Sequence, residues 1–445
     1  MRTIQNIRFV QILDSRGFPT IQCEINNGLY KACSPSGAST GSREAIEIRD
    51  GNKTFMGKSV LIAFRNQDII NEIFIGKSLE GGLEKFKELD NLILKMDSTP
   101  QKSILGGNLT TALSFCLLKA VSDNNVYQLF NNHNLLPWAW GGKGGTAVQS
   151  KDEVFETQGI KNSKSFLAVP PRPLVNIING GKHAGNKLQI QEFMIVPKEY
   201  MDVYDMLNNI TTVFHNLKKI ISKKYGSSQT AVGDEGGYAP DIESPEEALD
   251  LLVDAIETSG LKPGEDMFIA LDCAASEYYK DGKYEIFENK WLSKEETIDY
   301  LKTLCAKYPI ISIEDPFDEN DFESWKRFYQ EMNDKIMIVG DDLFTTSPEY
   351  CKRNEEEKWA NSLLVKVNQI GTVSEALDAI GWIRKNGGKI ILSHRSGETN
   401  DDIITDIGYG IGAEFLKIGA PCRGERIAKY NRLIEIYFQR LSIGS

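Results

Sequence analysis

Residues 310–314 read Ile-Ile-Ser-Ile-Glu, a short apolar run that ends in an acid. Comparable apolar runs end in a polar residue at six places in the second half of the chain, 23 to 42 residues apart. The six polar residues are Asp272, Glu314, Asp341, Lys366, His394 and Lys417. A helix-like pattern follows each run. This alternation predicts repeated βα units with right-handed crossovers and a parallel sheet.

The number of these units favours a closed barrel. Six or more of them fall within about 275 residues, which suits a barrel better than most open sheets. A doubly wound open sheet is the alternative fold. The chemistry of a barrel lies at the carboxyl ends of its strands. One charge at a strand end is commonly a solvated rim residue, but six polar ends in succession, with both signs present, indicate a functional site.

The N-terminal part has a different sequence pattern. Residues 4–13 and 20–25 alternate as strands do, and residues 14–17 supply a turn between them. Helical patterns follow, for example at 60–75 and 109–118. This part therefore reads as a mixture of strands and helices without the βα repeat.

We therefore predict an α/β protein of two domains. An N-terminal α+β domain would span residues 1–168, including a Trp- and Gly-rich connection at 137–168. A C-terminal barrel would span residues 169–445 and carry the active site.

The composition argues against several classes of protein. The 445 residues carry 51 Lys and Arg against 62 Asp and Glu, a formal net charge of −11, so nucleic acid is not expected as a partner. No run approaches the roughly 18 apolar residues that span a bilayer, so no membrane association is expected. The N-terminus lacks the apolar stretch of a secretory signal. Seven dispersed cysteines without a CxxC pair favour reduced thiols and a cytoplasmic location.

Three acids, Asp272, Glu314 and Asp341, end neighbouring strands and would converge. Like charges raise each other's pKa unless a cation neutralises them. All-oxygen ligands suit a hard cation such as Mg²⁺. The alternative is a set of salt bridges to nearby lysine or arginine side chains. The spacing does not fix the number of ions.

Lys366 and Lys417 also end strands. A lysine near another cation or a metal has a lowered pKa and can act as a base. Two structural lysines that neutralise the acids are an equal alternative, and Schiff-base chemistry is a rival use of the same residues.

Residues 394–396, His-Arg-Ser, begin at a strand end, just before a helical pattern. The Arg fork and the Ser hydroxyl favour an anion such as phosphate there. Glu235 lies in a Gly-Asp-Glu-Gly-Gly run, which suits either a functional loop or a plain turn. Gln191 and Glu192 belong to another strand-like segment. Two glutamates in different environments can divide the acid and base roles.

Two Gly-rich stretches, 35–41 and 180–185, have the composition of lids that close over a substrate. Neither matches a Walker A pattern, and no GxGxxG follows a strand. Nucleotide and dinucleotide binding therefore lack support.

Many segments, in their order along the chain, resemble those of the enolase family. The resemblance covers nearly the whole chain and rests on residues 14–17, 35–41, 56–58, 191–194, 233–237, 271–274, 312–317, 340–343, 364–372, 393–399 and 419–421. It implies a TIM-like barrel of the ββαα(βα)6 type behind an N-terminal α+β capping domain.

The resemblance also implies an activity. This would be the cytoplasmic phosphopyruvate hydratase reaction of glycolysis and gluconeogenesis, in which 2-phospho-D-glycerate is reversibly dehydrated to phosphoenolpyruvate. It implies Mg²⁺ as cofactor, with two ions in each active site once substrate is bound. It further implies a homodimer, with higher assembly left open.

Each matched residue takes an implied role from the resemblance. Lys366 would remove the C2 proton, and Glu235, assisted by Glu192, would help the 3-hydroxyl group leave, with His183 in the second lid. The implied metal set is Asp272, Glu314, Asp341 and the backbone of Ser39. The implied substrate-binding set is Ser39, His183, Gln191, Glu192, Glu314, Lys366, His394, Arg395, Ser396 and Lys417. Within it, Arg395 and Ser396 would hold the phosphate, and Lys417 would pair with the substrate carboxylate.

A few positions depart from the family pattern. Phe18 replaces the usual Asn of an RGNPT motif, and Gly424 replaces a Ser, but neither change removes a matched catalytic residue. Two other functions are weighed against this one. A related enzyme acting on another carboxylate is disfavoured by Arg395, Ser396 and Glu235. A non-catalytic binding protein on the same scaffold is disfavoured by the intact set of acids and bases.

Overall fold

The computed structural model describes residues 2–38, 41–131, 169–181, 184–199, 201–287 and 289–443. The Trp- and Gly-rich connection at 137–168 lies outside the described residues.

The N-terminal part contains a three-stranded antiparallel sheet. Its strands are β1 (Ile7–Leu13), β2 (Pro19–Ile25) and β3 (Tyr30–Cys33), in that order. The turn between β2 and β3 holds Asn26 and Asn27 at a φ of 55° each and Gly28 at 81°. Asn and Gly tolerate this left-handed conformation best, so the sequence favours a tight turn here.

Four α-helices complete this part over residues 2–131. They are α1 (Gln67–Phe74), α2 (Gly82–Met96), α3 (Gly107–Ser122) and α4 (Val126–Asn131). The helix α3 is buried on nearly every side because it lies between the sheet and the barrel. The helical pattern at 60–75 is split, since a 3₁₀ helix (Leu61–Asn66) precedes α1. The Gln67 side chain bonds to the backbone of Ile7 and Phe9 and fixes the start of α1 against β1.

Eight strands form a closed barrel in the second part, and a small antiparallel sheet follows its third strand. The first three barrel strands are β4 (Arg172–Asn179), β5 (Glu192–Pro197) and β6 (Met267–Asp272). The small sheet contains β7 (Tyr279–Lys280), β8 (Lys283–Phe287) and β9 (Lys290–Ser293). The other barrel strands are β10 (Ile310–Glu314), β11 (Met337–Gly340), β12 (Ser362–Val365), β13 (Lys389–Ser393) and β14 (Phe415–Lys417).

Helices surround the barrel. They are α5 (Val203–Tyr225), α6 (Pro245–Thr258), α7 (Lys294–Lys307), α8 (Phe322–Met332), α9 (Pro348–Glu357), α10 (Val367–Ile370), α11 (Val373–Lys385), α12 (Ile403–Gly410) and α13 (Gly424–Ile443). Side-chain caps explain several of the starts. Ser293 and Glu296 form a capping box at the start of α7, for example. None of the helices within the described ranges is long and apolar enough to cross a membrane.

The strand directions confirm the predicted barrel. β5 runs antiparallel to β4 and to β6, whereas every other neighbouring pair is parallel. With two helices after β5, the order is ββαα(βα)6, and the open-sheet alternative is wrong. Apolar side chains fill the interior as a separate cluster: Leu174, Met194, Val196, Ala270, Met337, Val339, Leu364, Ile391 and Phe415. Charged residues are therefore confined to the strand ends.

Candidate active site

The carboxyl ends of the barrel strands bring the six predicted polar residues to one end of the barrel. β6, β10 and β14 end on Asp272, Glu314 and Lys417, respectively. The residues that directly follow β11, β12 and β13 are Asp341, Lys366 and His394. Five of the six are buried, and Lys366 is partly buried.

Lys417 lies among carboxylates from three adjacent strands. Its Nζ donates to Asp272 Oδ2 and to both oxygens of Glu314, each at 2.8 Å, and lies 3.3 Å from Glu192 Oε2. The register explains this grouping, because Glu192 pairs with Asp272 across β5 and β6, and Asp272 pairs with Glu314 across β6 and β10. One ammonium group cannot balance three carboxylates.

A second ion pair joins Lys366 to Asp341. Lys366 Nζ donates to Asp341 Oδ2, and Gln369 Nε2 donates to Asp341 Oδ1 at 2.8 Å. Burial is the largest single effect on the pKa of Lys366 and lowers it, but the carboxylates of Asp341 and Glu314 together leave that pKa above its ordinary value.

The donor set fits a hard divalent cation. Burial raises the pKa of Glu192 and Glu314 well above the ordinary range, and Glu235 and Asp272 respectively raise them further. Such buried carboxylates repel one another unless protons or cations neutralise them. Their donors are all oxygen, which Mg²⁺ prefers over softer ligands. The residues present are thus suited to Mg²⁺.

A further group of acids shares Asp341. Ligand oxygens of Asp315, Asp341 and Asp342 all lie within 4.8 Å of one another. The two Asp315 oxygens accept the backbone N–H groups of Asp341 at 2.9 Å and Asp342 at 2.8 Å. Burial, together with the Asp341 charge, raises the pKa of Asp342 to about 8. Asp315 therefore holds the loop that presents Asp341.

Arg395 is held by a residue from the N-terminal part of the chain. Its Nη1 and Nη2 donate to the two oxygens of Glu44 at 2.9 and 3.2 Å. The hydroxyl of the next residue, Ser396, accepts the backbone N–H of Ala38 at 2.8 Å. The N-terminal part thus forms one wall of the region predicted to bind an anion.

Glu235 reaches the site on its Gly-rich loop. Its Oε2 accepts from Asn176 Nδ2 at 3.2 Å and lies 3.2 Å from His394 Nε2. A Cβ at Gly237 would lie 2.4 Å from Asn179 Oδ1, so a larger residue would push the loop away from β4. Glycine therefore permits the close approach that brings Glu235 to His394.

The remaining predicted residues are Gln191, Ser39 and His183. Gln191 lines the cleft, and its backbone N–H donates to the carbonyl of Asp272 at 3.0 Å. Ser39 and His183 lie outside the described residues, as do their neighbours Thr40 and Lys182 in the two Gly-rich stretches predicted as lids.

Sequence reasoning missed five residues that support the site: Glu44, Asn176, Asp315, Gln369 and Arg426. Glu44 lies three residues after the Gly-rich stretch 35–41, and Asp315 is adjacent to Glu314, so closeness to a chosen motif would have found both. Arg426 offers no such signal, because a charged residue in the first turn of a helix is usually solvated. Its side chain is in fact fully buried.

A larger cavity, of about 580 Å³, lies at the opposite end of the barrel. Its lining includes Phe268, Met337 and Phe415 together with exposed charged residues. Arg172 there pairs with Glu199 at 3.1 Å. The converging carboxylates and lysines lie at the other end, where barrel enzymes carry their chemistry.

Comparisons with known proteins agree with this geometry. A family model described as "Enolase, N-terminal domain" matches residues 4–132, and one described as "Enolase, C-terminal TIM barrel domain" matches residues 167–441. A curated protein named "Enolase", from Methanocaldococcus jannaschii, is 43% identical over 436 residues. The alignment covers 97% of this chain and 94% of that protein.

Proposed function

The chain belongs to the enolase family, and from that premise we propose how its site carries out the phosphopyruvate hydratase reaction. In this reaction 2-phospho-D-glycerate is reversibly dehydrated to phosphoenolpyruvate. The single observation that carries the proposal is the junction of acids and lysines at adjacent strand ends. There Lys417 bonds to Asp272 and Glu314, and Lys366 bonds to Asp341.

Asp272, Glu314 and Asp341 are the proposed metal ligands, with the backbone of Ser39 completing a second site. Mg²⁺ bound there would stabilise negative charge that develops on the substrate carboxylate. We propose two ions per active site with substrate bound. Asp315 is not a proposed ligand, because both its oxygens already accept backbone N–H groups.

Lys366 is the proposed base that takes the C2 proton. In its present pairing with Asp341 the ammonium form is favoured, so the lysine cannot accept a proton. A cation held by Asp341 would balance that carboxylate, which would then no longer favour the charged amine of Lys366. Neighbouring cations, Arg395 among them, then lower the pKa of Lys366, as a base requires.

Glu235, assisted by Glu192, is the proposed acid that protonates the departing 3-hydroxyl group. Burial raises the pKa of Glu192, and the nearby Glu235 carboxylate raises it further, so the environment of this pair favours a protonated acid. An elimination requires a basic amine and a protonated acid in one cleft, and Lys366, once released from Asp341, and this pair of glutamates would supply them.

The other proposed substrate contacts follow the charges of the cleft. Arg395 and Ser396 would take the phosphate, since a guanidinium binds such an anion through a fork of two hydrogen bonds. Lys417 would pair with the substrate carboxylate. Gln191, His394 and the second-lid residue His183 would line the remaining faces. A related enzyme acting on an unphosphorylated carboxylate is disfavoured, because it would not need the Arg395 fork.

We also propose a cytoplasmic homodimer with a domain boundary at residues 168 and 169. All seven cysteines are free, which suits a reducing compartment. Large apolar side chains are exposed on the N-terminal part, with Leu13, Leu29 and Met56 exposed by 56%, 63% and 78%. Exposed apolar side chains that form one contiguous patch would mark an interface. Light scattering coupled to size-exclusion chromatography would measure the assembly.

One assay tests the activity itself. Purified protein with Mg²⁺ should convert 2-phospho-D-glycerate to phosphoenolpyruvate, which is followed by its ultraviolet absorbance. Unphosphorylated glycerate is the matched control and should not react. A folded, Mg²⁺-loaded protein that forms no phosphoenolpyruvate would overturn the proposal.

A further inference from the structure

The guanidinium of Arg426 joins the loop of Glu235 to the loop of Arg395. Arg426 lies in the first turn of α13, and its side chain is 0% exposed. Its Nη2 donates to the carbonyls of Asp234 at 3.1 Å and Ser396 at 2.7 Å. Its Nη1 donates to the carbonyl of Arg395 at 2.7 Å. One buried side chain therefore fixes two site loops that are far apart in sequence.

The same guanidinium determines which nitrogen of His394 carries a proton. Arg426 Nη1 lies 2.7 Å from His394 Nδ1. A guanidinium has only donors, so Nδ1 must accept and cannot carry a proton. Burial, reinforced by the charge of Arg426, also lowers the pKa of His394 to about 3. The ring is therefore neutral, and its proton lies on Nε2.

This arrangement directs two donors at one oxygen of Glu235. His394 Nε2 lies 3.2 Å from Glu235 Oε2, and Asn176 Nδ2 donates to the same oxygen at 3.2 Å. An oxygen that accepts one hydrogen bond and lies 3.2 Å from a second N–H group is a poor position for a proton. When Glu235 is protonated, Oε1 is therefore the favoured oxygen.

We propose that Arg426 is a positioning residue, which holds His394 as the neutral Nε2–H tautomer and thereby places the proton of Glu235 on Oε1. Arg426 acts through His394 and is not itself a catalytic residue. The consequence for catalysis rests on the proposed role of Glu235 as the acid. The state of the imidazole ring does not depend on that role.

Nitrogen NMR tests the tautomer directly. The chain has four histidines, so protein labelled with ¹⁵N-histidine gives few signals, and His394→Gln identifies the one that matters. The wild-type signal should be that of a neutral Nε2–H ring throughout about pH 5.5 to 8, across the ordinary titration of histidine. An Nδ1–H ring, or an imidazolium in this range, would overturn the proposal.

Variants of Arg426 test the cause. In Arg426→Met the Nδ1 atom of His394 loses its hydrogen-bond donor. The His394 signal should then change with pH or show both neutral tautomers. Arg426→Lys keeps a donor and should restore part of the wild-type signal. Arg432→Met is the matched control, because that guanidinium lies on the same helix but bonds to Asp406. An unchanged His394 signal in folded Arg426→Met would contradict the proposal. The wild-type spectrum decides alone if that variant does not fold.

The kinetic consequence is a selective loss. Arg426→Met should slow dehydration by about 10²-fold, as a misplaced catalytic group does, while C2 proton exchange falls much less. An equal loss of the dehydration rate and of the C2 exchange rate would contradict the proposal that Arg426 acts through Glu235. If Glu235→Gln dehydrates normally, the assignment of the acid fails, whereas the NMR result still decides the role of Arg426 on the ring.

Discussion

Glu44, in the N-terminal part, and Arg395, two residues after the barrel strand β13, hold each other through two hydrogen bonds of 2.9 and 3.2 Å. They are 351 residues apart in sequence, and their side chains are only 5% and 3% exposed. The pair neutralises a buried guanidinium that is also the proposed phosphate ligand. The same pair therefore stabilises the packing of the N-terminal part on the barrel and sets the charge of the proposed anion site.

Glu44→Gln should destabilise the protein and make it more responsive to phosphate. Breaking a buried ion pair leaves an uncompensated charge, which costs about 3–5 kcal/mol in the free energy of unfolding. Inorganic phosphate can restore a negative partner for Arg395, so it should stabilise the variant more than the wild type. Denaturant unfolding with and without phosphate measures both effects.

The control for this experiment is Glu24→Gln. Glu24 pairs with Arg8, whose side chain is 70% exposed, so its loss should cost under about 1 kcal/mol and should not alter the phosphate response. Equal phosphate stabilisation of wild type and Glu44→Gln would contradict the link between the pair and the anion site.

Removal of the divalent cation should abolish activity, and added Mg²⁺ should restore it. Asp341 belongs both to the proposed metal ligands and to the cluster that Asp315 and Asp342 form with it. Two matched variants, Asp272→Asn and Asp315→Asn, each remove one carboxylate and show which set binds the cation. Mutation of a residue that only hydrogen-bonds to a metal ligand typically lowers metal affinity by about 10–100-fold. Loss of a ligand itself should therefore weaken Mg²⁺ binding by at least about 10-fold.

Calorimetric titration with Mg²⁺ separates the two variants. Asp272→Asn should lose affinity directly and keep its thermal stability. Asp315→Asn should chiefly lose stability, since Asp315 holds the loop of Asp341. The ligand assignment would be wrong if Asp272→Asn bound Mg²⁺ as the wild type does.

Asp90 should make the stability of the fold depend on pH. It is a buried residue of α2 that accepts the backbone N–H of Ser374 at 2.9 Å, and burial raises its pKa to about 6. An acid whose pKa is higher in the folded state favours folding while it is protonated. That contribution is present below the ordinary pKa near 4 and is lost as the pH rises through about 6.

Asp90→Asn should remove this dependence. The difference in the free energy of unfolding between Asp90→Asn and wild type should grow in favour of the variant by about 3 kcal/mol from pH 4 to pH 7. Each unit of pKa shift corresponds to about 1.4 kcal/mol. Denaturant unfolding across this range checks the result, with the exposed Asp68→Asn as control. Parallel pH curves for wild type and Asp90→Asn would contradict the account.

Local sequence patterns predicted the barrel because each strand is a short apolar run that ends at a recognisable polar residue. The same patterns identified Asp272, Glu314 and Lys366, since the strand ends fix where such side chains lie. They could not predict the partner of Arg395, because Glu44 reaches it only through the packing of the N-terminal part on the barrel. They allowed ion pairs between these acids and lysines, but they could not show that Lys366 pairs with Asp341 and that Lys417 pairs with Asp272 and Glu314.

The central claim is that Lys366 removes the C2 proton before Glu235 assists departure of the hydroxyl group. The most direct measurement follows both product formation and C2 exchange in heavy water, with Mg²⁺ and 2-phospho-D-glycerate present. Glu235→Gln should lose product formation by about 10²–10⁴-fold yet still exchange the C2 proton. Lys366→Ala should lose both activities. C2 exchange that persists in folded Lys366→Ala would contradict the assignment of the base, even if that variant made no phosphoenolpyruvate.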